Sequence, residues 1–199
     1  MRKKISLFKC GRKRKFFILL GLGLLPGWSA FSQSSSWGKL IPAGYEMIDT
    51  LSGDLNADGR MDLLMIIKVF GEDTIENSID LKRPLLIFIR QRDGTLKLTA
   101  RNDEVVLCLQ CGGSFGDPYR NMVITDSSFS VEHYGGSSYR WSDEIIFKYN
   151  EKKKSWFLLS WGGEGNQINE PDKESNIWLK TTKNFGVVEF AKFKRSILQ

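Results

Sequence analysis

Histidine is almost missing from this sequence: His133 is the only one in 199 residues, and cysteine is held to three. A zinc site built on Cys108 and Cys111 would need two further ligands, which one histidine does not supply. A disulfide-scaffold fold would also need more cysteines. Long apolar runs are scarce. The run Phe16–Leu25 is about half the roughly 20 residues that a membrane-crossing helix requires, and Pro26 closes it. A sustained 3.6-residue period is absent, apart from Asp73–Leu81, where a short helical turn is expected. No segment occurs twice, which excludes a repeat array or a propeller of several blades.

Positive charge is plentiful, but only at one end. The whole chain has 29 Lys and Arg against 23 Asp and Glu, a net +6. Eight of those cations and no acid fall in residues 1–32, so the remainder carries 21 against 23, a net of −2. The basic balance therefore does not describe a nucleic-acid surface. A cationic start, an apolar run of about ten residues and the small residues of Ala30-Phe31-Ser32 form a secretory signal cleaved before Gln33. Residues 33–39 then read as a flexible leader, and 40–199 as a single domain large enough for one ordinary core. The product is expected outside the cytoplasm, periplasmic or secreted, with no stable membrane insertion once the signal is removed.

The apolar residues of that domain come in short runs or alternate, separated by Gly, Asn, Asp and Lys. This predicts strands over Tyr45–Leu51, Asp62–Phe70, Pro84–Arg92, Thr95–Arg101 and Glu104–Cys108, with Arg92-Asp93-Gly94 as a hairpin turn. Further on, Phe129, Val131, His133, Tyr139, Trp141, Ile145, Phe147 and Tyr149 keep one parity across Gly135–Ser138, one apolar face on two strands. Asn150–Lys154 turns the chain and Trp156–Trp161 returns. Gly162–Asn176 reads as a long exposed loop, and Asn184–Phe193 as a last strand. The fold class is mainly β: an antiparallel meander or sandwich, propeller-blade-like at one hairpin.

The segment Gly53-Asp-Leu-Asn-Ala-Asp-Gly-Arg-Met-Asp62 is the densest in chemistry. It places side-chain oxygens at Asp54, Asn56, Asp58 and Asp62, with the carbonyl of Arg60 as a fifth donor and Gly59 at the sharp bend. Three carboxylates converging there would repel, and hard oxygen donors with a flexible coordination number suit Ca²⁺. The alternative is an Asx-rich turn that needs no ion. A dockerin-type module would require a helix over Asp62–Phe70 and an acidic residue where Met65 stands. Gly53–Leu64 resembles instead the calcium loops of FG-GAP and VCBS-type repeats. That resemblance implies that Asp54, Asn56, Asp58 and Asp62 are calcium ligands joining two strands. Cys108–Tyr119 and Val131–Trp141 are similar to segments of exported bacterial proteins that carry the same loop, which implies export and a β fold.

Cys108-Leu-Gln-Cys111 precedes turn residues rather than a helix start that would lower a thiolate pKa, so a local disulfide is expected. His133 could pair with Asp143 or Glu144 as acid and base in a small hydrolase, or a carboxylate pair could serve. No nucleophile motif accompanies it. The alternative is a half-buried structural histidine. Tyr139, Trp141, Trp156 and Trp161 with Arg140 form either a ligand platform or core. The reading that combines these features is an exported, calcium-stabilised β protein that binds a glycan or a protein and carries no catalytic residue.

Overall fold

The computed structural model describes residues 36–76, 79, 81–170 and 173–198. The expected signal at 1–32 and its cleavage point lie outside them. Nine strands are described, in two antiparallel sheets. The first holds β1 (Tyr45–Gly53), β2 (Asp62–Val69), β3 (Arg83–Arg90) and β4 (Leu96–Val106) in sequence order. The second holds β5 (Tyr119–Thr125), β6 (Ser128–Gly136), β7 (Tyr139–Asn150), β8 (Ser155–Gln167) and β9 (Asn176–Thr181), again in order. Within each sheet every strand pairs with the next, so both are meanders, and no propeller or closed barrel is formed among the described residues.

Burial explains why the strands differ in sequence texture. Leu64, Ile66, Leu85 and Ile87 of the first sheet share a core with Phe129, Val131, Ile145 and Phe147 of the second. The alternate residues Leu63, Met65, Ile67, Leu86 and Phe88 are buried on the opposite face, beneath Trp37, Leu40 and Ile41. A strand covered on both faces reads as a continuous apolar run, hence Leu63–Ile67 and Leu85–Ile89. The second sheet is covered on its inner face only, so β6 and β7 alternate. Ser36–Leu40 forms a turn of 3-10 helix that brings Trp37 into this packing, so the segment read as leader joins the fold there.

The strand expected over Asp62–Phe70 forms as β2, so a dockerin helix is not present there. Other expectations change. Thr95–Arg101 and Glu104–Cys108 merge into the single strand β4. β5 was not anticipated, because its even, edge-of-sheet composition buries only Met122. Gly162–Asn176 is not a long loop: β8 continues through Gln167 and β9 pairs with it. The glycines that suggested a loop are there to seat rings. A Cβ at Gly163 would stand 2.4 Å from the Trp178 indole, and one at Gly165 would stand 2.0 Å from the Tyr139 hydroxyl. Asn184–Phe193 is not a strand. Thr181 and Asn184 close a capping box on the helical turn Thr182–Phe185, and the chain then inserts Phe190 and Phe193 edge-on against Phe147. The residues around Asp73 supply a short 3-10 turn, Glu72–Thr74.

Candidate functional site

The loop between β1 and β2 is a tight, self-bonded turn. Asp54 accepts the backbone N–H groups of Asp58 and Gly59 at 3.1 and 2.8 Å, and that of Asn56 at 3.3 Å. Gly59 and Ala57 take left-handed backbone conformations (φ 78° and 60°), which glycine adopts without strain. Asp62, at the head of β2, is fully buried. Its two oxygens accept Leu55 N–H at 3.0 Å and Arg90 N–H at 2.8 Å, so it ties the loop to the end of β3. Leu55 is buried in the shared core, and its carbonyl accepts the Trp156 indole N–H at 2.9 Å. One loop thus holds three strand ends and a tryptophan of the second sheet. Trp156 is therefore core, not part of an exposed aromatic platform.

The five expected donors are in one turn, but they do not all point to one place. Asp58 accepts the Arg60 backbone N–H at 3.0 Å and the Asn56 amide at 2.8 Å, and also contacts the Arg60 guanidinium. That guanidinium in turn bonds the Arg90 carbonyl at 2.9 Å. Among the described residues, no three His, Cys, Asp or Glu side chains surround a common metal position. The electrostatics still record crowding of like charge. Burial, with the charges of Asp58 and Asp54, pushes the Asp62 carboxyl above its usual range, against its two backbone donors. Asp54 moves the other way: burial opposes the shift, but the amides of Gly59, Asp58, Asn56 and Ala57 outweigh it and hold the carboxyl low. A groove of about 760 Å³ runs beside the loop, between Gly53, Asp54 and the turn Asp126-Ser127 that joins β5 to β6.

The second expected pair does meet. His133 on β6 and Asp143 on β7 are cross-strand partners, with Nδ1 to Oδ1 at 2.9 Å. Both are buried. The Leu107 backbone N–H points at His133 Nε2 at 3.4 Å, so Nε2 carries the lone pair and Nδ1 donates to Asp143. Asp143 Oδ2 accepts from Arg195 at 3.0 Å and from the Trp161 indole at 3.1 Å. Arg195 also bonds the Val105 carbonyl at 3.2 Å. Burial, reinforced by Arg195, keeps the imidazole below its ordinary pKa despite Asp143. For Asp143, burial pushes upward, but the His133 hydrogen bond and the Arg195 charge bring it down to about 2. Among the described residues, no hydroxyl or thiol reaches either ring nitrogen. The cluster clamps β4, the second sheet and the C-terminal segment together.

Neither Arg195 nor the Asp143–Trp161 contact was foreseen, since both depend on how the tail folds back. A second buried ion cluster also escaped notice: Arg83 donates to Glu72 at 2.8 Å and to Asp117 at 2.7 Å, with Glu72 and Arg83 almost wholly buried. Only a cation at the start of an apolar run hinted at it. Asp117 follows Cys108–Cys111, whose sulfurs are joined in a disulfide.

The open face of the second sheet carries the other candidate. Glu132 and Glu144 are directly opposed on β6 and β7. With Arg120, Tyr134, Ser142 and Gly162 they line a cleft of about 430 Å³. Arg120 lies 5.4 Å over the Tyr134 ring, Tyr134 meets Phe115 edge-on at 5.1 Å, and Arg140 stacks on Phe115 at 3.9 Å. So Arg140 belongs to this outer row, while Tyr139, Trp141 and Trp161 lie on the inner parity. No family model, curated protein or solved structure matches the chain.

Proposed function

We propose that this is an exported, non-catalytic binding protein in which Ca²⁺ at the Asp54–Asp62 loop stiffens the sandwich and the outer face of the second sheet recognises a glycan. The observation that carries the structural role is Asp62, whose buried carboxylate links loop, β2 and β3. Asp54, Asn56, Asp58, Asp62 and the Arg60 carbonyl are the oxygen donors that would hold the ion. Their chemistry suits Ca²⁺, and its charge would offset the burial and, to a lesser degree, the repulsion that raise Asp62. Binding requires Asp58 to exchange the Arg60 guanidinium for the ion. The resemblance of the loop to FG-GAP and VCBS-type calcium loops supports the same reading.

The glycan reading rests on the cleft. Aromatic faces beside planar Glu and Arg groups suit a ring that is apolar on one face and hydroxyl-rimmed at its edge. A half-exposed carboxylate pair accepts two hydroxyl donors without a cation. His133 and Asp143 serve as an internal strut in this reading, because both ring nitrogens are engaged within the core.

Titration calorimetry of the chelator-treated protein with CaCl₂, alongside thermal melts, tests the ion. Saturation at about 100 times Kd adds about 2.7 kcal/mol, which raises Tm by about 5–11 °C for a chain of this size. Absence of both heat and a Tm rise would sink the calcium assignment. Screening against a glycan array with wild-type protein and Tyr134→Ala tests the face: signals equal in both would remove the cleft as the binding site.

A further inference from the structure

Among the described residues the two sheets have four edge strands, and three carry the devices that normally stop strands from pairing with other chains. β1 is bulged between Met47 and Asp49 and carries Glu46 and Asp49. β4 carries Lys97, Arg101, Asp103 and Glu104, and Asn102 fastens the tail to it through the Phe190 and Phe193 carbonyls at 2.7 and 2.9 Å. β5 has a register shift at Tyr119/Asn121 and presents Arg120.

β9 has none of these. Its six residues, Asn176-Ile-Trp-Leu-Lys-Thr181, pair with β8 without a register shift, and it contains no proline. Its one charge, Lys180, is turned to the inner face: Nζ lies 5.1 Å over the Trp161 ring and bonds the Leu198 carbonyl at 2.5 Å. Ile177 and Leu179 project from the other face, 74% and 69% exposed. They are among the most exposed large apolar side chains described.

We propose that β9 pairs antiparallel with β9 of a second copy of this chain, about a two-fold axis at Trp178, joining two five-stranded sheets into one of ten. Directly opposed residues in an antiparallel pair share a face, so the axis must pass through a residue. At Trp178 the pairing sets Ile177 of each copy against Leu179 of the other. Lys180 then faces Asn176, and no like charges meet. An isologous contact needs this self-complementarity, because one patch is used twice. A foreign strand would need matching apolar residues of its own, whereas a second copy carries them in register. The contact does not involve the calcium loop, and it borders the glycan cleft only where Leu179 lies beside Gly162.

The test is sedimentation equilibrium of the purified protein, from the whole expressed chain, with and without Ca²⁺ up to about 100 µM. Wild type is expected to dimerise. Ile177→Lys with Leu179→Lys places lysine opposite lysine twice and should weaken dimerisation at least about 100-fold, while Ile177→Lys with Leu179→Glu pairs opposite charges and should stay within about tenfold of wild type. Both sites are exposed, so circular dichroism and Tm should change little and a folding failure would be visible. A monomeric wild type overturns the proposal. So does a dimer that tolerates the double lysine, since another surface would then hold it. Equal loss in both double variants overturns the register.

Discussion

Because the chain has a single histidine, the stability of the fold between about pH 7 and pH 5.5 depends on one buried side chain more than on any other. His133 is buried and its pKa is depressed, first by burial and then by Arg195, with Asp143 pulling the other way. In the unfolded chain the same imidazole takes up a proton near its ordinary value of about 6.5. A depressed folded pKa means that the unfolded state binds more protons in this window, so stability is full at higher pH and is lost as pH falls. An imidazole that stayed neutral throughout in the fold would set the upper bound: a loss of about 1 kcal/mol from about pH 7 to about pH 5.5, steepening below that. A change of that size lowers Tm by about 2–4 °C in a protein of this size. Asp143, held at about 2, stays ionised across the window and does not contribute there. Urea titrations at several pH values, on wild type and on His133→Gln, measure the slope. Arg195→Gln supplies a second arm. It removes the charge that helps keep His133 neutral, so the slope flattens. It also costs about 3 kcal/mol near pH 7, because the Asp143 carboxylate loses its cation in the core, and the cost shrinks as pH falls. A wild type with flat stability over this range, or a slope that survives unchanged in His133→Gln, would refute the reasoning.

Asn102 makes four hydrogen bonds from one buried amide, to the Phe190 and Phe193 carbonyls and from the Glu104 and Val105 N–H groups. Asn102→Ala should cost about 3 kcal/mol and release the tail, read as faster hydrogen exchange at Phe190–Leu198, because buried groups are left unpaired. Gly163→Ala should cost about 2 kcal/mol or more, since its Cβ would sit 2.2 Å from the Ser142 carbonyl oxygen. Gly162→Ala, whose nearest neighbour would be Leu179 at 3.3 Å, should cost clearly less; equal denaturation midpoints for the two variants would contradict this packing.

Local and short-range features were legible from residues alone. The run Leu63–Ile67, the alternation through Phe129, Val131 and His133, and the hairpin at Asp93-Gly94 each follow from strand periodicity or turn chemistry, which act over a few residues. The Asp54–Asp62 segment and the Cys108–Cys111 pair are likewise close in sequence, so spacing anticipated a tight turn and a local disulfide. From sequence, Asp143 and Glu144 are both open as partners of His133; the register of β6 on β7 puts Asp143 opposite it and Glu144 opposite Glu132.

What tertiary structure alone decided is long-range. The loop donors could be named from spacing, but not that Asp62 would be spent on the Arg90 amide or that Arg60 would lean on Asp58. The His133–Asp143 pair reads as catalytic or structural from sequence, and its remaining partners, Leu107 and Arg195, the latter 52 residues beyond Asp143, are brought in only by the fold. Gly162–Gly165 reads as a loop because glycine is intrinsically poor in strands. It becomes strand because Trp178 and Tyr139 need the space a side chain would fill. Periodicity reports which face of a strand is apolar. Which distant chain segment arrives to cover that face, and which edge is left bare at β9, is set by packing that no local pattern encodes.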